Sequence, residues 1–473
     1  MPRIPCGRSL RTAPRSGHRI LPDCSPWCDR RHTERACPGR SSDTPGQERI
    51  RRRHNAGRPH SLDRGGGSGH LVTTEATSRL TAPLRNVEYR VLWAAEAISS
   101  AGDQLAKVAL SILVYHRTGS ALWAAVVYAL TFLPALAGGL GLSFLADRYP
   151  RRAVLSVSAA AQAVLVGLMS LPGMPLPALC LLLVAVQLAA SPANAAQNAI
   201  TREVFTDDHL YLRSQDLRGI TTNTVQLLGL AGGGVLVTAV GTSWALAIDA
   251  VSFAVASVIV RVWVRDRPAA GGEHSTWFSA TRWVFGQRKL RVLIALSWLV
   301  GLAVVPEGLA APLAQQLNAP SAAVGWLLAA DPLGFVAGAY LLSKFASAAV
   351  RQRLLGVLAT ASLAMLALFL LRPNLVVALV LLALAGAMGA YIITVTATFS
   401  TWVPNELRGG AGGLYRTGLR VAQGIGVALG GVVAQATGSA VTAIALAGLA
   451  GVALAIPTAF SWTRVRHAVA AGA

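Results

Sequence analysis

Long apolar stretches separated by short polar segments run through the chain from about residue 90 to its end. A helix needs about 20 mostly apolar residues to cross the hydrocarbon core of a bilayer, and each of these stretches approaches that length. The pattern therefore predicts an all-α membrane protein with twelve transmembrane helices. Their expected ranges are 91–115, 119–146, 153–171, 176–199, 219–239, 243–263, 291–313, 321–343, 353–371, 375–400, 411–436 and 438–461.

Composition supports this interpretation and excludes an ordinary soluble enzyme. Only 13% of the residues are charged and 53% are hydrophobic, whereas soluble proteins carry roughly 25% charged residues. The net charge of +21 would suggest nucleic-acid binding in a soluble protein. In a membrane protein the same charge indicates basic cytoplasmic loops.

The basic residues lie on one side of the predicted topology. The opposite loops hold little beyond Arg117 and Arg372. This asymmetry predicts a multi-pass protein of the bacterial inner membrane with both termini in the cytoplasm, and it explains the net charge without nucleic acid. The basic residues of the loops and helix ends on that side are Arg148, Arg151, Arg152, Arg202, Arg213, Arg218, Arg265, Arg267, Arg282, Arg288, Lys289, Lys344, Arg351, Arg353, Arg408, Arg416, Arg464 and Arg466.

Residues 1–87 differ in composition from the rest of the chain. They are rich in Arg, Pro, Gly and Ser and contain no apolar signal-peptide core, so a disordered basic tail is expected. An alternative is that the true start lies near Val72 and that the preceding residues are not translated. Four residues of this tail, Cys24, Cys28, His32 and Cys37, have a spacing loosely like that of metal ligands. A metal site is therefore the alternative to a solvated tail at these positions.

Two segments 197 residues apart have similar sequences, QLLGLAGGG at 226–234 and QGIGVALGG at 423–431. This repeat predicts two pseudo-symmetric six-helix bundles, 88–264 and 291–473, joined by a cytoplasmic linker at 265–290. Transporters with parallel duplications bind substrate between the halves near the midplane. The matching glycines are Gly229, Gly233, Gly234, Gly426, Gly430 and Gly431.

The segment GLGLSFLADRYPRR at 139–152 resembles the signature loop of the major facilitator superfamily, with Ser143 and Pro150 replacing two glycines. The resemblance implies a transporter with alternating access, in which this loop gates the switch between inward-open and outward-open states. A static surface ion pair that also anchors the topology is the alternative. The gating residues implied are Asp147, Arg148, Arg151 and Arg152.

The first glycine-rich repeat also resembles the antiporter motif of this superfamily, although Leu230 stands where proline is expected. Helix packing is another use for its small residues. Three further segments, ISSAGDQL at 98–105, SPA at 191–193 and IDAVSF at 248–253, resemble actinobacterial drug and siderophore exporters. Together these resemblances imply export driven by proton antiport.

Ionisable residues inside membrane helices are functional candidates because a charge is costly there. Glu96, Asp103 and Lys107 fall on one stripe of the first helix. Asp103 and Lys107 are four residues apart and could pair, either as a neutralised structural pair or as part of a proton path. Glu96 lies nearer the cytoplasmic end, where water could solvate it.

Asp249, Glu307 and Asp331 are the remaining acids within predicted helices. A carboxyl group out of water can take up and release protons near neutral pH, as a proton-coupled exporter requires. Asp103 is the first candidate and Asp331 the second. Asp249 and Glu307 lie in the outer thirds of their helices, where a vestibule could hydrate them, and Asp249 could equally be a packing element. Arg420 could be a counter-ion for an acid or anchor its end of the helix.

The sequence contains no phosphate-binding loop, zinc-binding cluster or nucleophile elbow, so we expect no enzyme, no cofactor and no metal. We predict a monomeric efflux transporter for a small organic molecule of the drug, antibiotic or siderophore type, with protons and the lipid bilayer as its other partners. An importer, an uncoupled facilitator and a non-transporting receptor are the alternatives. The alanine-rich helices and 6% aromatic content permit a wide apolar cavity.

Overall fold

A computed structural model describes residues 81–134, 145–267, 277–404 and 407–471. All regular secondary structure in these ranges is helical, as predicted. The predicted tail, the alternative start at Val72 and the loosely spaced cysteines lie outside the described residues, apart from a short 3-10 helix at Ala82–Arg85. Part of the predicted linker, 268–276, also lies outside them.

We number the membrane helices in chain order. Eleven helices in the described ranges are long and apolar enough to cross a membrane. The predicted second helix is described only in its first part, because residues 135–144 lie outside the described ranges. The helices are α1 (Val87–Thr118), α2 (Ala121–Ala129), α3 (Arg151–Met169), α4 (Leu176–Val204), α5 (Asp208–Val240), α6 (Thr242–Trp263), α7 (Arg288–Gly308), α8 (Ala323–Phe345), α9 (Ala348–Leu371), α10 (Leu375–Trp402), α11 (Arg408–Thr437) and α12 (Ala440–Ala471).

Several helices extend beyond their predicted apolar cores. Helix α5 begins at Asp208 rather than at residue 219, because its polar first turns remain helical. The Asp207 side chain caps this end by accepting hydrogen bonds from the backbone N–H groups of His209, at 2.7 Å, and Leu210. Hydropathy detects only the part of a helix that lies in lipid, so the polar ends were missed.

Helix α7 is interrupted near its far end. It consists of short helical segments, one of which is Val305–Gly308. Pro306 has no N–H group to continue the hydrogen-bond ladder, and Glu307 N–H bonds the carbonyl three residues back, at Val304. The interruption places Glu307 in an irregular part of the helix.

The helices form an N-terminal half, α1–α6, and a C-terminal half, α7–α12. Within the first half α1 packs on α5 and α6, and α3 packs on α4 and α6. Within the second, α8 packs on α10, α9 on α12 and α11 on α7. The most extensive contacts between the halves are those of α2 with α11 and of α5 with α8. Below, "basic side" means the side where α1 begins and α6 ends, and "far side" means the opposite side.

Glycines of α5 allow close packing against two different helices. Gly229 lies against Gln104 of α1, and a Cβ atom on Gly233 would approach a side chain of α1 to 3.3 Å. Gly234 instead faces the backbone of α8 at Gly325. Small residues permit such close helix contacts in membranes.

The equivalent glycines of α11 repeat this arrangement in the second half. Gly426 lies against the backbone of α7 at Gly301, and Gly430 also faces α7. Gly431 faces α2 at Ala125, across the junction between the halves. Each repeat therefore packs two glycines on the first helix of its own half and one glycine on the opposite half, which is the contact pattern of a duplicated fold.

Candidate functional site

A cavity of about 510 Å³ lies in the part of the membrane domain nearer the basic side. The N-terminal half supplies most of its lining, and Arg420 is the lining residue from the C-terminal half. Its walls come from α1, α4, α5 and α11 and from the turn that follows α2. Amide, hydroxyl and charged side chains dominate the lining, so the wide apolar cavity that the composition permitted is not what the structure shows. The amide side chains are Gln104, Gln187, Asn194, Gln215, Asn223 and Gln226.

Glu96 lies at the basic-side end of this cavity within a network of three helices. Its carboxylate pairs with Arg218 Nε of α5 at 2.6 Å and accepts a hydrogen bond from Gln197 Nε2 of α4 at 2.6 Å. Arg218 also donates to Asn198 of α4. The side chains of Glu96 and Arg218 are 19% and 20% exposed, so Glu96 is ion-paired rather than simply solvated. Sequence reasoning had treated Arg218 as a topological arginine.

Asp103 and Lys107 both line the cavity, as their spacing on α1 predicted. The ammonium of Lys107 donates to Gln104 Oε1 at 3.2 Å. Although Asp103 is an electrostatic neighbour of Lys107, the two form no ion pair within 4 Å in the described structure. The expected pairing within α1 is therefore replaced by a hydrogen bond to an amide.

Asp249 of α6 is only 1% exposed, so no vestibule hydrates it in this conformation. Its carboxylate lies where α1 approaches most closely, at Gly102, and one of its oxygens accepts a hydrogen bond from Ser252 at 3.2 Å. The other carboxylate oxygen has no hydrogen-bond partner among the described residues. Asp103 is its nearby acidic neighbour. The structure thus brings together two acids that the sequence assigned to different helices.

Glu307 of α7 joins the two halves. Tyr128 of α2 donates its hydroxyl hydrogen to Glu307 Oε2 at 2.6 Å. Asp331 of α8 lies beside α10, where its Oδ1 would be 2.9 Å from a Cβ atom on Gly386, and it is an electrostatic neighbour of Glu307. Tyr128 was missed by sequence reasoning because an aromatic residue in an apolar helix gives no distinguishing signal.

Arg420 of α11 faces the same cavity from the C-terminal half. Its guanidinium lies 5.7 Å from the centre of the Phe132 ring, within the range of a cation–π contact. No carboxylate of a described residue lies within ion-pair distance of it. The sequence proposed Arg420 as a counter-ion for an acid, but it has no acid as a direct partner here.

The signature loop lies on the basic side. Leu145–Arg148 forms a single helical turn with Arg148 exposed, and the Asp147 side chain lies outside the described atoms. Arg151 contacts Glu203 at the end of α4, while Arg152 pairs with Asp266 at 2.9 Å. These arginines therefore bind the ends of neighbouring elements in the N-terminal half.

Further ion pairs fix the segment that follows α6 to the rest of the N-terminal half. Arg267 binds Glu88 at the start of α1 through two hydrogen bonds, 2.6 and 2.8 Å long. The hydrogen bond to Glu88 raises the pKa of the Arg267 guanidinium above its ordinary value, so this residue stays charged. Arg267 also lies 3.5 Å from Glu203. The two ion-pair sets share Glu203 and form one network on the basic side.

The halves are joined on the far side. Ser120, which precedes α2, donates to Gln435 of α11 at 2.9 Å, and Tyr115 of α1 donates to Gln315 after α7. With Tyr128–Glu307, these are the three side-chain hydrogen bonds between the halves in the described part of the chain. The cavity therefore lies on the basic side of a closed far-side junction.

No curated protein sequence matches this chain. The sequence profile of one family, described as transmembrane secretion effector, matches residues 77–470. Several solved transporter structures are similar to this fold. A bacterial homologue of the human lysosomal transporter Spinster, inward-facing and unoccupied, matches with a TM-score of 0.62 and 13% identity over 80% of this chain and 96% of its own.

Two further structures agree with this fold. The nucleoside transporter NupG has a TM-score of 0.61 and 14% identity over 79% of this chain and 98% of its own. The peptide transporter POT in complex with sulfate has a TM-score of 0.65 and 11% identity over 80% and 94%. At such identities the likeness shows the fold alone. Since the family profile spans nearly the whole membrane domain, the chain belongs to the transmembrane secretion effector family of the major facilitator superfamily and is a multi-pass membrane transporter rather than an enzyme.

Proposed function

We propose that this transporter exports a small organic molecule of the drug, antibiotic or siderophore type in exchange for protons. The observation that carries the proposal is the pair of acids at the α1–α6 contact. Asp103 lines the cavity, and its neighbour Asp249 is buried with one carboxylate oxygen unpartnered. Two neighbouring carboxyl groups, one of them shielded from water, can hold and release a proton. Asp331 and Glu307 form a second acidic pair in the C-terminal half.

The positive charge of the loops on the basic side and the family description both favour export. The basic side should face the cytoplasm of a bacterial inner membrane, because positive loops remain inside. The cavity then opens towards the cytoplasm, where an exporter collects its substrate. The family description, a secretion effector, also fits export.

Proton-coupled efflux in inverted membrane vesicles tests the proposal. Dyes, antibiotics and siderophores are supplied in turn, and the wild type is compared with Asp103→Asn. Asp216→Asn is the matched control, because that acid is exposed on α5 and forms only a 3.7 Å pair with Arg213. A substrate should dissipate the pH gradient with the wild type and the control but not with Asp103→Asn.

Each other outcome selects a different function. Transport that survives both an uncoupler and Asp103→Asn would indicate a facilitator in which this acid is structural. Movement in the opposite direction would indicate an importer. If no compound moves while a partner protein binds, the chain is a receptor on a transporter fold.

A further inference from the structure

Two cations from opposite halves face the central cavity without an acidic partner. Lys107 comes from α1 and Arg420 from α11, and both line the cavity. Lys107 makes its hydrogen bond to an amide oxygen, and Arg420 contacts the ring of Phe132. Neither forms an ion pair within 4 Å in the described ranges. Ionisable residues within membrane helices face a partner or a water-filled cavity and mark the path of a substrate or ion.

The other charges that line the cavity form no ion pair with Lys107 or Arg420. Arg218 and Glu96 neutralise each other. Asp103 is the remaining acid of the lining, and it stays beyond ion-pair distance of Lys107. Two further acids lie outside the lining. Glu307 accepts a hydrogen bond from the Tyr128 hydroxyl, and the Asp249 carboxylate packs against Gly102 of α1. The cavity therefore presents two cations that are available to a ligand.

The rest of the lining is suited to a hydrophilic molecule. Six amide side chains and three hydroxyl groups face the cavity, whereas Phe132 is its one aromatic residue among those described. A lipophilic ligand would leave these amides desolvated without hydrogen-bond partners, at a cost. A polar ligand would satisfy them.

We propose that Lys107 and Arg420 together bind an anionic oxygen group of the substrate, a carboxylate or a phosphate, and that the amides bind its polar remainder. This inference rests on the proposed export function and narrows its substrate class to hydrophilic organic anions. Arginine binds such groups with two parallel hydrogen bonds, and lysine acts as a point charge beside it. Because the two cations belong to different halves, an anion bound by both would connect the halves.

Ligand titrations on the full-length protein in lipid nanodiscs test this inference. Hydrophilic carboxylates, their primary amide counterparts and phosphate monoesters are compared by thermal shift and by isothermal calorimetry. At least one carboxylate or phosphate should raise the Tm saturably, while its neutral counterpart does not. Lys107→Gln and Arg420→Gln should each weaken binding by about tenfold or more.

Matched variants separate the charge from general damage. Arg416→Gln lies one turn away on α11, is exposed and should bind as the wild type does. Lys107→Arg should retain binding because the charge remains. If a glutamine variant does not fold, competition on the wild type decides the question, and inorganic sulfate should displace the organic anion.

Three results would overturn the inference. These are equal stabilisation by the neutral counterparts, binding that is unaffected in both glutamine variants, and failure of every anion to bind or of sulfate to compete. Proton-coupled transport of neutral or cationic compounds alongside such a result would leave the export function standing. Anion binding without proton-coupled transport would instead contradict the export function alone.

Discussion

Charged residues inside the membrane helices differ in what they contact, and those contacts separate structural from functional candidates. Glu96 has Arg218 as a full ion-pair partner. Glu307 accepts a short hydrogen bond from Tyr128 across the halves. Lys107 and Arg420 have no acidic partner in the described structure. Only contacts of this kind, and not the residue types, decide which charges remain available to protons or substrate.

The Tyr128–Glu307 hydrogen bond should contribute measurably to stability. A hydrogen bond to a charged group contributes about 1.5–3 kcal/mol, so Tyr128→Phe and Glu307→Gln should be strongly non-additive. A double-mutant cycle on the free energy of unfolding in detergent micelles measures this coupling. Tyr391→Phe is the control, because the Tyr391 hydroxyl bonds the Leu296 carbonyl within the C-terminal half.

The effects of Tyr391→Phe and Glu307→Gln on the free energy of unfolding should be additive. Simple additivity of Tyr128→Phe and Glu307→Gln, within about 0.5 kcal/mol, would contradict an energetic link between the halves at this point.

At the scale of helices, the glycines of the repeated segments serve different contacts, which their constant offset in the sequence does not reveal. Within α5, Gly234 faces the opposite half, whereas Gly232, two residues before it, has no neighbour within 4 Å of a Cβ position. Neighbouring glycines on one helix can therefore have different roles. The helix face, rather than the motif, determines which glycine matters.

Gly234→Val should disturb the contact of α5 with α8, and Gly232→Val should not. A valine at Gly234 would collide with the α8 backbone near Gly325, and backbone atoms cannot rotate away as a side chain can. The far-side junction should therefore open, and transport should fall. Spin labels at Thr238→Cys and Ser321→Cys measure the opening as an increased distance.

The Gly232→Val variant provides the matched control, since it adds the same side chain on the same helix. Equal label distances in the two valine variants would show that this α5–α8 contact does not hold the far side closed.

At the scale of the whole molecule, the structure shows one conformation of the transporter. The halves touch on the far side, and the cavity lies towards the basic side. On the basic side, Arg267, Glu88 and Glu203 hold the start of the linker to the N-terminal half. Alternating access requires the far-side contacts to separate while the basic side closes.

A cleavable thiol cross-linker that joins Ser120→Cys to Gln435→Cys should arrest transport in this conformation. Ser120 Oγ and Gln435 Oε1 lie 2.9 Å apart on the far side, across the two halves. Glutamine reaches further from the backbone than cysteine, and a direct disulfide needs Cβ atoms about 3.5–4.5 Å apart, so a short bifunctional reagent is the better bridge. The five native cysteines must be replaced first, including Cys180 of α4. Cross-linking should abolish efflux, and a reducing agent that cleaves the linker should restore it.

The single variant Ser120→Cys, treated with the same reagent, should keep its transport and serves as the control. Full transport by the cross-linked double variant would mean that this junction does not open during the cycle.

The sequence was sufficient to predict an all-helical, multi-pass membrane protein with ionisable residues inside its helices, whereas the orientation and the duplication stay predictions. Apolar length, loop charge and a constant offset are local or periodic properties, and the bilayer acts on them directly. Helix ends were less predictable, as at Asp208, because polar turns beyond the lipid can remain helical when a side chain caps them.

Only the tertiary structure decided which groups meet. Asp103 and Asp249 lie 146 positions apart in the chain, and Tyr128 and Glu307 belong to different halves. No periodicity relates such residues, because their proximity depends on which helix faces pack together. The polar character of the cavity arises in the same way, since amides scattered over three helices form one surface only when those helices surround a common space.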